Sequence, residues 1–154
     1  MPWHIGLAVP DLDAGLQHFG DLFGVTWRPV RQFPVRINDG DGAAYDISLR
    51  VTFSLTSPFA LEIWEAIPGT PMAAPEGTMV HHVGYWADDF DAERDRLTRL
   101  GHPPFMTIAA TGTSMHRGPG GLGLEPEDVH TDNPWLRDLF PQDSPFFGTP
   151  QLNG

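Results

Sequence analysis

The chain has 154 residues, 40% of them hydrophobic, with five Trp, no Cys and a net charge of -11. That length and hydrophobic share suit one folded domain with a sizeable core, not a disordered chain. The nine basic residues are all Arg and face 20 acidic ones, which excludes the basic surface that nucleic acid or an anionic membrane requires and argues against a highly anionic substrate. Without Cys there is no disulfide, thiolate metal site or cysteine nucleophile. Residues 1–9 lack the basic start and long apolar core of a signal peptide, and no apolar run reaches membrane-spanning length. A cytoplasmic protein is expected.

Residues 3–9 (WHIGLAV) alternate as a half-buried strand, with Ile5, Leu7 and Val9 on one face and His4, Gly6 and Ala8 on the other. "PD" stops that strand, and Asp11 or Asp13 caps a helix whose Leu12, Leu16, Phe19 and Phe23 form an apolar stripe before Gly24 ends it. A Pro-interrupted, edge-like strand over about 26–37 leads to the turn "NDGDG". Residues 45–55 then alternate cleanly, with Arg50, Ser48, Thr52 and Ser54 opposite Tyr45, Ile47, Leu49, Val51 and Phe53. "SP" turns into a further strand, "FALEIWEAIP", so residues 1–68 read as a first β-α-β-β-β module.

A Pro/Gly-rich linker, 69–78, separates this module from a second one at 79–127. The second comprises a strand at 80–87, a helix at 89–100 with Phe90, Leu97 and Leu100 as its buried stripe, and strands near 104–110, 113–117 and 122–126. A shift of 78 residues lays His4 on His82, Gly6 on Gly84, Asp11 on Asp89 and Asp13-Ala14 on Asp91-Ala92. The tail, 128–154, has no counterpart in the first module, and its "NPWLRDLF" is expected to make one helical turn. The expected fold class is α+β: two βαβββ modules in a single domain, forming a curved mixed sheet around a cleft. One helix covers one face of each half-sheet, so the two uncovered faces enclose the cleft.

Strand parity sorts the side chains. If Ile5, Leu7 and Val9 face the helix, His4 faces the cleft; by the same logic His82 does too, and His81 points away. Leu61 and Ile63 take the helix side, leaving Glu62 and Trp64 to the cleft and Glu65 on the other face; Leu122 and Leu124 do the same for Glu125. Parity therefore brings together His4, Glu62, His82 and Glu125, an N2O2 donor set suited to Zn, Ni, Co, Mn or Fe. A metal so held polarises a carbonyl or diol oxygen and stabilises an enolate, while Glu125 or Glu62 serves as the base. Arg50, placed on the cleft side, is a candidate anchor for a substrate carboxylate. Trp64 and Trp86, which share parity with Glu62 and His82, are candidates for an apolar substrate wall.

The stretches "HIGLAVPDLDAGLQHFGDLFG", "LEIWEAIPGTP", "HHVGYWADDFDAERDRLTRLG" and "HRGPGGLGLE", in that order, resemble the vicinal oxygen chelate superfamily, most of all its glyoxalase and methylmalonyl-CoA epimerase branch. The resemblance covers about residues 3–126 and implies the same four metal ligands, His4, Glu62, His82 and Glu125. It implies a small-molecule substrate and commonly a homodimer, with modules paired within a chain or exchanged between chains.

Three functions follow as expectations. The first is a metal-dependent isomerase, epimerase or lyase that abstracts a proton next to a carbonyl. The second is an Fe(II)-dependent ring-cleaving dioxygenase of the same fold. The third is a non-catalytic protein that sequesters a drug or metabolite between the modules.

Overall fold

A computed structural model describes residues 2–56 and 59–130. The expected turn at Ser57-Pro58 and the expected helical turn in the tail lie outside the described residues. In chain order the elements are β1 (Pro2–Val9), α1 (Leu12–Phe23), β2 (Arg31–Asp39), β3 (Ala44–Phe53), β4 (Ala60–Glu65), β5 (Val80–Ala87), α2 (Phe90–Arg99), β6 (Pro104–Ile108), β7 (Ser114–Arg117) and β8 (Gly123–Asp128). A short 3-10 turn, Pro119–Gly121, joins the last two.

Both helices start as their acidic turns dictate. The Asp11 carboxylate accepts the Ala14 N–H at 2.9 Å, and Asp89 accepts that of Ala92 at 2.9 Å, each satisfying a free donor of the first turn. Gly24 closes α1 in the left-handed region (φ 65°), where a Cβ is costly. The buried face of α1 is narrower than its apolar stripe. Leu12 packs on Leu7, Val9 and Ile63, whereas Phe23 is 57% exposed. In α2 Leu97 is buried but Leu100, its C-cap residue, is 60% exposed. The expectation that Leu100 is buried is thus corrected, since it stands at the C-terminal end of its helix, as the exposed Phe23 does.

The strands form one closed barrel in the order β1-β4-β3-β2-β6-β7-β8-β5. β1 lies parallel to β4, and β5 parallel to β8, as a repeated module requires. The halves meet twice within the chain, through antiparallel β1–β5 and through antiparallel β2–β6. Only Ile37, Asn38 and Asp39 of β2 reach β6, so Pro34 lies where β3 is the sole neighbour and its missing N–H leaves no ladder bond unmade. Inside the barrel Ala8, Ile37, Leu49, Val51, Trp64, Met106 and Met115 pack around Met72, which the linker contributes. The apolar face of β3 fills this interior because α1 lies over β1 and β4 and offers β3 no cover.

Candidate metal centre

Four strands deliver the donors. β1 brings His4, β4 Glu62, β5 His82 and β8 Glu125, and one ligand atom from each lies within 4.8 Å of the others. Both His residues are fully buried and Glu125 is buried, while the Glu62 side chain keeps 16% exposure. His4 Nε2 stands 2.9 Å from His82 Nε2, 3.2 Å from Glu125 Oε2 and 3.5 Å from Glu62 Oε2. His82 Nε2 stands 2.9 Å from Glu125 Oε2 and 3.0 Å from Glu62 Oε2.

These spacings fit a shared ion better than a hydrogen-bond network. Donors about 2.1 Å from one ion stand roughly 2.9 Å apart at a right angle and roughly 3.4 Å apart at the tetrahedral angle. Two imidazole nitrogens cannot between them make hydrogen bonds along all five short edges. Accordingly Glu62 Oε2, although close to His82, makes no hydrogen bond of acceptable geometry among the described residues. The chemistry of the donor set suits a borderline divalent ion.

The Gly residues of the repeat explain how two imidazoles fit inside a barrel. Cross-strand pairing sets His4 opposite Gly84 and His82 opposite Gly6. A Cβ at Gly84 would fall 1.7 Å from His4 Cε1, and one at Gly6 would fall 2.1 Å from His82 Cε1. Each ring therefore lies over the bare backbone of the opposite strand.

Charge at the centre is set by burial and by proximity. Burial disfavours a charged His82, but Glu125 and Glu62 outweigh it and, with no ion present, raise its pKa to about 10. Burial likewise disfavours an ionised Glu125, yet the His82 and His4 rings hold its carboxyl well below the usual range. Glu127, two residues further along β8 and also buried, goes the other way. Burial first, and then Glu125 and Glu62, raise it well above the ordinary value.

Two inward residues escape the parity reading. The β1–β5 register shifts between Pro2 and His4, and again opposite the step from His82 to Val80, so Trp3 and His81 are extra residues immediately before His4 and His82. Both turn inward. Trp3 is 1% exposed and meets His4 edge-on at 4.1 Å between ring centroids. His81 is 4% exposed, with Nδ1 3.2 Å from His82 Nδ1 and Nε2 2.8 Å from the Pro71 carbonyl. Burial, followed by the neighbouring His82, lowers the His81 pKa to about 4. The expectation that His81 points away is corrected. The 78-residue repeat superposes Trp3 on His81, and that coincidence is the one sequence signal that marked them as a pair.

The residues expected to bind substrate divide. Trp64 lies on the cleft side as expected, wholly buried, with its ring parallel to His82 at 5.4 Å and its Nε1–H donated to the Met72 carbonyl. Trp86 also faces inward and stacks on Trp3 at 5.1 Å. Arg50 does not face the cleft. It pairs with Glu65 and, at 3.2 Å, with Asp13 of α1, on the helix side of the sheet. Its expected side is corrected for the reason that turns the apolar face of β3 inward. A depression of about 600 Å³, lined by Tyr45, Pro71, Phe105 and Arg117 among others, shares Pro71 and Phe105 with the surroundings of His81.

A twice-repeated βαβββ barrel with a two-His, two-carboxylate centre between its halves defines a class of protein. The glyoxalase/bleomycin resistance protein/dioxygenase superfamily matches residues 3–117, and the chain belongs to that superfamily. Solved structures share its fold. A variant of Streptomyces coelicolor methylmalonyl-CoA epimerase in complex with 2-nitronate-propionyl-CoA is 19% identical, with a TM-score of 0.54 over 82% of this chain and 92% of that one. Methylmalonyl-CoA epimerase from Mycobacterium tuberculosis is 18% identical, with a TM-score of 0.52 over 82% and 86%. A mutant 4-hydroxymandelate synthase from Streptomyces coelicolor is 17% identical, with a TM-score of 0.57 over 86% of this chain and 38% of that one. No curated protein sequence matches the chain. Among the described residues, no helix is long and apolar enough to cross a membrane.

Proposed function

We propose that this protein is a divalent-metal enzyme that removes a proton next to a carbonyl of a small organic substrate, as an isomerase, epimerase or lyase. The observation that carries this reading is the convergence of His4, Glu62, His82 and Glu125 on one buried point, with one carboxylate left partly open. These four residues hold the ion, which when bound supplies Lewis acidity to a substrate oxygen. The carboxylates have different parts. Glu125 lies between the two imidazoles and is held as an anion, which suits a fixed ligand. Glu62 keeps 16% side-chain exposure, which suits the base that takes the proton. The Streptomyces coelicolor epimerase variant was solved with 2-nitronate-propionyl-CoA. This chain has no Lys, and its Arg50 is tied to Asp13 and Glu65, which favours a substrate without a polyanionic carrier.

The test is metal analysis followed by solvent-deuterium exchange on a panel of small hydroxy-carbonyl and branched oxo compounds. The loaded protein is expected to exchange the proton next to the carbonyl, and Glu62→Gln and Glu125→Gln to slow this by roughly 10²–10⁴-fold. Unchanged exchange in both variants refutes the reading. The aromatic side of the interior, where Trp3 stacks on Trp86 and on Phe53 at 5.5 Å, favours a second reading, Fe(II)-dependent oxygenation of an aromatic substrate. It ranks lower because four protein ligands leave fewer positions for substrate and oxygen. Oxygen consumption by the Fe(II)-loaded protein with a catechol would reverse that order. Ligand binding that survives a His4→Ala, His82→Ala double substitution would instead favour a sequestering protein.

A further inference from the structure

We propose that the linker carbonyls of Pro71 and Met72 hold the ring of His82, and that His81 is the positioning residue through which Pro71 fixes its tautomer. A carbonyl oxygen only accepts, so His81 Nε2, 2.8 Å from Pro71, carries the proton of that ring. A neutral imidazole has one N–H, which makes His81 Nδ1 an acceptor. His82 Nδ1, 3.2 Å away, then donates to it. That leaves His82 Nε2 to face His4, Glu62 and Glu125, as a metal ligand must.

The second carbonyl acts on the face of the same ring. Met72 accepts the Nε1–H of Trp64 at 3.1 Å, and the Trp64 indole lies parallel to His82 with 22° between planes. His81 closes the corner, edge-on to Trp64 at 4.9 Å and to His82 at 5.4 Å. Two successive linker residues thus anchor the two rings that enclose His82. The other half has no such relay. Trp3 stands where His81 does, and His4 Nδ1 finds no hydrogen-bond partner among the described residues. The linker's place in the chain therefore has a consequence beyond joining two modules, because it orients one of the two imidazole ligands.

This inference rests on the reading that the centre holds a divalent ion, and its test separates the two. Zn²⁺ affinity is measured by competition with a chromophoric chelator for the full chain and for His81→Leu and His81→Gln. Leu removes both hydrogen bonds. Gln restores them, its amide N–H reaching Pro71 and its carbonyl accepting from His82. A 10–100-fold weaker affinity in His81→Leu, recovered in His81→Gln, is expected. In metal-free, 15N-histidine-labelled protein, long-range proton–nitrogen correlations should show His81 protonated at Nε2 and bare at Nδ1, with His82 protonated at Nδ1. Wild-type affinity in His81→Leu, failure of Gln to restore it, or a proton on His81 Nδ1 overturns the proposal. Should His81→Leu not fold, the tautomers of the wild type and the affinity of His81→Gln decide. A wild-type chain that binds no divalent ion refutes the metal centre itself, whereas the tautomer measurement still judges the relay.

Discussion

Gly84→Ala is the sharpest test of how the centre is built. The added Cβ would fall 1.7 Å from His4 Cε1 and 2.3 Å from both ring nitrogens. Ordinary contact begins near 3.4 Å, so the imidazole must retreat by about 1.7 Å or the strands must part. His4 has no exposed surface through which to retreat, and Trp3 blocks one side at 4.1 Å. Metal coordination tolerates only about 0.2 Å, so a displacement of this size removes His4 as a ligand. The expected loss of Zn²⁺ or Ni²⁺ affinity exceeds the roughly 100-fold that an outer-shell change produces. Overpacking should also cost about 1–3 kcal/mol of unfolding free energy, read from urea titrations of the metal-free protein. Because the clash is with one ring, the stability loss should largely vanish when Gly84→Ala is made in a His4→Ala background. Gly84→Ala with metal affinity within about threefold of wild type, or the same stability cost with and without His4, would refute the reasoning.

Four further outcomes are expected. With its pKa raised to about 10, His82 is protonated in the metal-free protein at pH 7 and must release that proton to bind an ion. Metal affinity should therefore rise about tenfold per pH unit between 6 and 8, with calorimetry in buffers of different ionisation enthalpy detecting about one proton released; a flat profile would contradict it. The same raised pKa stabilises the metal-free fold below the unfolded value of 6.5, and that contribution fades as pH rises through 10. Arg50→Ala breaks half-exposed pairs with Glu65 and Asp13, so it should change stability by no more than about 1 kcal/mol and leave KM unaltered; a large rise in KM would return Arg50 to the substrate. Leu22 and Phe23, adjacent at the end of α1 and both more than half exposed, are proposed to lie in a homodimer interface. Light scattering should give twice the 17.0 kDa chain mass at micromolar concentration, and a monomer mass would exclude it.

Alternation along single strands was enough to select His4, Glu62, His82 and Glu125, because each sits among apolar neighbours whose buried side the helices impose. The 78-residue echo of His and Gly also carried more than it appeared to, since each Gly makes room for the other half's imidazole. Parity failed where it was interrupted or inverted. One extra residue in a strand reverses which face its side chain takes, so the shifts at Trp3 and His81 brought inward two rings that alternation sends elsewhere. On β3 the alternation holds but its two faces are exchanged, because nothing local states that α1 covers β1 and β4 and leaves β3 to fill the barrel. The hold of Pro71 and Met72 on the rings around His82 is likewise a matter of assembly. A backbone carbonyl has the same chemistry at every residue, and only the closed barrel determines which one a buried imidazole meets.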